Sequence, residues 1–318
     1  MKSNYPAAIV KNLARSFCIL YVLLGAGLAH AGTILYATGN NNGPGLFTIN
    51  AATGAVAAVG SPSYTVDGGG LAYDALTSTL YATGTDETSY SAFFKFDTTT
   101  GAATKIAQIS PTYNISFGGL AFDSQASVLY ATGSDGHQGT SLFTIDPVTG
   151  AIAHIGDAVM PFNSSTSPVY LYGLGYDPST DTLYGTGFIQ NDTRPSATDM
   201  PGSSLFTINR LTGIPTWIGY AGVQLGRSLA YGGIDYDPVS GNLYTIGSIT
   251  AGSEGLYTYN RTTGHATLVS TLSPRIGADG GIAFITTHSN VADATSTFGL
   301  LTVSVLGLIA LRRRFVCS

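Results

Sequence analysis

The sequence predicts an all-β fold, a five-bladed β-propeller of four-stranded blades, and three anchors repeated five times carry that prediction. The first is an apolar residue followed by tyrosine, at Leu35-Tyr36, Leu80-Tyr81, Leu129-Tyr130, Leu183-Tyr184 and Leu243-Tyr244, with glycine close behind. The second is a turn written Asn50-x-x-Thr53-Gly54, Asp97-x-x-Thr100-Gly101, Asp146-x-x-Thr149-Gly150, Asn209-x-x-Thr212-Gly213 and Asn260-x-x-Thr263-Gly264. The third opens on glycine and ends in an aromatic residue: Gly70 to Tyr73, Gly119 to Phe122, Gly173 to Tyr176, Gly233 to Tyr236 and Gly281 to Phe284.

Within one unit these anchors mark four short strands, illustrated by 118–122, 128–132, 141–145 and 152–155. Each is rich in apolar, β-branched and aromatic residues and is bounded by Gly, Asp, Pro or Ser. The runs are nearly continuously apolar, as expected of sheets buried on both faces. The first unit begins at Leu35-Tyr36 without its glycine-led strand, and the last supplies an unattached Gly281-Ile282-Ala283-Phe284. Joining that orphan to the N-terminal three strands completes the fifth blade and places the propeller at residues 32–286.

Residues 1–31 predict a secretory signal: Lys2, Lys11 and Arg15, an apolar stretch from Phe17, and Ala29-His30-Ala31 as a small-x-small cleavage site. Residues 298–318 predict a transmembrane-like apolar helix with a basic end, Arg312-Arg313-Arg314, which holds its far side cytoplasmic and the preceding body outside. Between them, 287–297 reads as a linker carrying Val291, Asp293, Ser296 and Thr297. This order of short motif, apolar helix and arginines resembles the C-terminal sorting tail of PEP-CTERM-type proteins, in its Val-Pro-Asp variant. Ala292 stands where that family has proline. The resemblance implies an exosortase-type sorting enzyme as partner. It also implies a precursor anchored in the membrane, then a place at the surface or in the extracellular matrix of a Gram-negative bacterium.

Charge narrows the choice of partner. The chain has 13 basic and 18 acidic residues, but six of the basic ones lie in the terminal segments. The segment from Gly32 to Asp293 therefore sets seven cations against all eighteen carboxylates, which argues against a nucleic-acid partner. Cys18 and Cys317 are the 2 cysteines and both are terminal, so the body must be held by its core. His137, His154, His265 and His288 are scattered singly, without metal-ligand spacing, and no cofactor-binding motif is present. No metal, cofactor or catalytic set is expected.

Chain direction separates two faces. The turns within blades are short and alike, and Asp97, Asp123, Asp146, Asp177 and Asp237 there are expected to bond their own backbone. Asp86-Glu87 reads as a solvated loop tip. The remaining connections, longest at 156–170 and 190–203, fall on the other face and carry the expected binding residues. Chief among those are Tyr172, Phe117 and Tyr231, with Asp67 and Asp279 beside the channel mouth. Tyr64, Tyr90, Tyr113, His137, Phe162, Tyr170, Asp192, Arg194 and Arg275 share this face. Asp235 breaks the repeat, replacing the small residues Ala72, Ala121, Gly175 and Ala283 on an innermost strand, where Arg227 is a possible pairing partner. The expected function is an exported, surface-associated, non-enzymatic propeller that binds extracellular polysaccharide or serves structurally. The alternative is a glycan-active hydrolase or lyase using the channel-mouth carboxylates.

Overall fold

The computed structural model describes residues 32–41, 43–66, 68–109, 111–162, 165–192, 203–222, 232–250, 253–277 and 280–287. Signal, linker motif and apolar tail lie outside these, as do Asp67, Arg194, Arg227, Tyr231 and Asp279. Among the described residues no helix is long and apolar enough to cross a membrane.

Among the described residues, twenty-one strands form five sheets arranged as a five-bladed propeller. Blade 1 contains β1 (Gly32–Gly39), β2 (Gly45–Ile49), β3 (Val56–Gly60) and, as its innermost strand, β21 (Ile282–Thr287). Blade 2 contains β4 (Leu71–Asp74), β5 (Thr79–Thr85), β6 (Ser91–Phe96) and β7 (Ala103–Gln108). Blade 3 contains β8 (Leu120–Asp123), β9 (Val128–Gly133), β10 (Ser141–Ile145) and β11 (Ile152–Asp157). Blade 4 contains β13 (Ser165–Asp177), β14 (Thr182–Ile189), β15 (Ser204–Ile208) and β16 (Pro215–Tyr220), extended at one end by β12 (Val159–Phe162). Blade 5 contains β17 (Ile234–Asp237), β18 (Asn242–Thr250), β19 (Ser253–Tyr259) and β20 (Ala266–Thr271).

The orphan strand closes the ring as the repeat phase requires: the Thr38 amide donates to the Gly281 carbonyl at 3.0 Å, and the Gly281 amide donates to Thr38 Oγ1 at 2.9 Å. The connection at 156–170, expected to be a loop, is instead a hairpin. Val159 to Phe162 pairs with Ser165 to Pro168, which satisfies backbone groups that a loop would expose.

Five apolar clusters hold the blades together, one in each junction. Strand β5 shows why its run is continuously apolar. Leu80 and Ala82 face blade 1, whereas Tyr81 on the opposite side faces blade 3. Phe93, Phe94, Phe143 and Phe206 are fully buried, and truncating any of them to alanine costs about 3–5 kcal/mol.

The glycine of the third anchor marks the waist of the ring, where innermost strands meet. A Cβ on Gly70 would lie 2.2 Å from the Leu120 amide, and one on Gly281 would lie 2.3 Å from that of Leu71. The turn carboxylates and amides behave as expected. Asp97 Oδ1 accepts from the Thr99 and Thr100 amides at 2.8 and 3.1 Å, and Asp146 Oδ1 from Val148 and Thr149 at 2.9 and 2.8 Å.

Candidate functional site

Phe117 and Tyr172, two of the expected binding residues, come together on the face of variable connections. They line a cleft of about 210 Å³ with Tyr170, His137, Asn114 and Thr140. Phe117 precedes the waist glycines of blade 3 and is 61% exposed, presenting its ring to solvent. Tyr170 and Tyr172 stand on β13, with Tyr172 at the bulge between Leu171 and Gly173, and both rings stack on Phe188, at 5.0 and 6.0 Å. Phe188 packs behind the two tyrosine rings, while one edge of the Phe117 ring lies over Gly68 of blade 2, where a Cβ would come within 2.5 Å of it.

Two other aromatics of this face serve the core. Tyr64 packs on Phe94 at 4.7 Å and Tyr113 on Phe143 at 4.9 Å, each between blades. Asp192 is buried and accepts the Tyr220 hydroxyl at 2.5 Å. Arg275 pairs with buried Glu254, whose carboxylate also accepts the Ile276 and Gly277 amides at 2.8 and 3.0 Å.

Asp235 lies elsewhere, at the turn-face end of the channel. It borders a cavity of about 100 Å³ walled by one aromatic from each blade: Tyr73, Phe122, Tyr176, Tyr236 and Phe284. Its Oδ2 accepts the Phe284 amide at 2.7 Å, joining blade 5 to blade 1. Burial pushes its carboxyl up to about 7, opposed by the Phe284 and Tyr236 amides and reinforced by the nearby Asp237 charge. Asp237 is committed to its own turn, accepting the Val239 amide at 3.1 Å and the Ser240 amide at 3.2 Å.

Two arrangements escaped the sequence reading. Asp86 is no solvated tip: it is buried, accepting the Thr88 hydroxyl at 2.6 Å and the Lys105 ammonium at 3.2 Å. The Thr88 hydrogen bond leads in holding its carboxyl down to about 2. In blade 3, Asp135, His154 and Asp157 bring one ligand atom each within 4.8 Å of one another, a set able to hold a divalent ion. His154 Nε2 is 3.1 Å from Asp157 Oδ1 and 3.7 Å from Asp135 Oδ2, while His137 Nδ1 is 3.0 Å from Asp135 Oδ2. The Asp135 hydrogen bond raises His137 above the ordinary imidazole value. These four residues come from the β9–β10 loop and β11, so strand pairing assembles what linear spacing leaves scattered.

No family model matches the chain, and no curated protein matches it. Among solved structures it is similar to TolB from Acinetobacter baumannii, with 15% identity and a TM-score of 0.44, covering 83% of this chain and 60% of that one. The chain thus spans about 60% of the length of that structure. It is also similar to a GH43 endo-arabinanase from Bacillus licheniformis, with 12% identity and a TM-score of 0.42 over 65% of this chain and 81% of that one. A gluconolactonase from Xanthomonas campestris shows 13% identity and a TM-score of 0.41 over 81% of this chain and 84% of that one.

Proposed function

We propose that this chain is an exported, surface-associated propeller that binds extracellular polysaccharide without cleaving it. The observation that carries this reading is the cleft where exposed Phe117 meets Tyr170 and Tyr172 beside the polar groups of Asn114, His137 and Thr140. Flat apolar rings interleaved with hydrogen-bonding groups match the surface of a pyranose, which is apolar on its faces and polar around its edge. The N-terminal segment that reads as a signal, and the C-terminal segment that resembles an exosortase-type sorting tail with a basic end, support export and surface retention.

A glycan-cleaving enzyme is the second reading, favoured by the place of Asp235 on the aromatic-walled channel cavity, where burial pushes its carboxyl up to about 7, the range a general acid needs. Against it stand the Phe284 amide on that carboxylate and the engagement of Asp237 in its turn. Incubating the protein with the producing organism's extracellular polysaccharide separates the two. Retention on the polymer without new reducing ends is expected. Release of reducing ends, abolished by Asp235→Asn, would establish the enzyme instead.

A further inference from the structure

Among the described residues, two blade junctions are tied by an arginine, and a third keeps the same pocket with alanine at the arginine's position. Arg210, in blade 4, donates to the buried Asp123 of blade 3, and Arg261, in blade 5, donates to the buried Asp177 of blade 4. Each guanidinium also lies over the aromatic of its own blade's innermost strand, 5.5 Å from the Tyr176 ring and 5.7 Å from the Tyr236 ring. The recognition unit is therefore a buried turn carboxylate from one blade and an aromatic from the next.

At the junction of blades 5 and 1 the corresponding positions are Asp237, Phe284 and, in place of arginine, Ala51. A cleft of about 490 Å³ opens there, lined by all three residues together with Thr33, Ile49 and Val56. Asp237 Oδ1 accepts the Val239 amide and the Thr33 hydroxyl at 3.0 Å, whereas Oδ2 is met only by the Ser240 amide at 3.2 Å among the described residues. An ionised carboxylate has about four acceptor sites, so capacity remains on the oxygen that the two arginines use in the sister junctions. The junction of blades 2 and 3 also lacks arginine, with Pro147 at that position, but the cleft that Pro147 lines with Thr79, Tyr81 and Lys105 does not reach Asp74.

We propose that the cleft between blades 5 and 1 binds an arginine side chain presented by a partner protein. Its guanidinium bonds Asp237 and lies over Phe284, as Arg210 and Arg261 do on their own carboxylates and rings. Ile49 and Val56 cover the methylene stem. The excess of carboxylates in the body favours approach of a basic partner. This site is separate from the aromatic cleft and does not depend on the polysaccharide reading.

The test titrates the full chain with N-acetyl-arginine amide, and with its neutral isostere N-acetyl-citrulline amide, followed by NMR. Binding of the arginine compound at least about tenfold tighter is expected, with shifts centred on Thr33, Ala51 and Phe284. Asp237→Asn removes that preference. Because Asp237 also caps a turn, Ala51→Arg provides the second variant, which supplies the missing arginine from within. It should abolish binding of the added compound and raise Tm by roughly 2–4 °C. Equal affinity for the citrulline compound, or undiminished arginine binding by the Ala51→Arg protein, would overturn the proposal.

Discussion

The Asp235 carboxylate accepts the Phe284 amide at 2.7 Å across the junction between the last blade and the strand that closes the ring. In the other blades Ala72, Ala121, Gly175 and Ala283 occupy this position, so the carboxylate is a device of one junction. Its folded value near 7 lies above that of an unfolded aspartate, so the protonated form is favoured by folding. The stabilising contribution is complete below about pH 4 and is lost as pH rises through about 7, on the order of 2 kcal/mol after allowance for the partly open channel. Urea unfolding between pH 4 and pH 8 measures this slope. Asp235→Asn keeps an acceptor for Phe284 and should flatten the curve; an unchanged slope would assign the pH dependence to another group.

Arg210 bridges Asp123 and Asp181, the latter at 2.6 Å, and Asp123 is fully buried. Removing the guanidinium leaves that carboxylate with neutral partners, the Gln125 and Ala126 amides of its turn and the neighbouring Tyr176 hydroxyl. Arg210→Ala should cost about 2 kcal/mol, and Arg210→Ala combined with Asp123→Asn should recover part of that loss. Equilibrium denaturation of the single and double variants provides the comparison.

His137 is exposed, and its raised value follows first from the hydrogen bond and then from the charge of Asp135. Burial works against the Asp135 carboxylate, but the side-chain and backbone bonds of His137 hold it below the ordinary range. The attraction is present while the imidazole is charged and fades as pH rises through its folded value. Proton NMR should place the His137 titration above 6.5, and Asp135→Asn should return it toward 6.5.

Phe117 is 61% exposed and buries little, so Phe117→Ala should leave stability within about 0.5 kcal/mol of the parent. Retention on polysaccharide should fall several-fold, and Tyr172→Ala should act in the same direction. A Phe117→Ala protein retained as well as the parent would remove the aromatic cleft from the binding surface.

The fold was legible because each blade repeats the same local instructions. The Asn/Asp-x-x-Thr-Gly turns follow from side chains bonding amides two and three residues ahead, and the glycine carries φ near 72° at Gly54 and Gly101. Such contacts stay within five residues of sequence. The contacts between blades do not: Arg210 reaches Asp123 and Arg261 reaches Asp177 across whole blades, with no local pattern to announce them. Phe117 and Tyr172 could be named as exposed aromatics near the loops. Their meeting in one cleft depends on how blade 4 leans against blade 3. The adjacent carboxylates Asp86 and Glu87 resemble a surface tip in sequence, because Lys105, which pairs with both, lies 19 residues beyond Asp86 on β7.

Closure by β21 also decides how the ring carries mechanical load. The last strand hydrogen-bonds to the first, so the two ends of the propeller leave from one blade. Tension on the chain beyond Thr287 therefore arrives at the seam between β21 and β1 before it reaches any other sheet. The Thr38 and Gly281 bonds, and the Asp235 grip on Phe284, stand in that line of force. A pull at the C-terminal end would open the ring at this seam, and blades 2 to 4 would be the last to feel it.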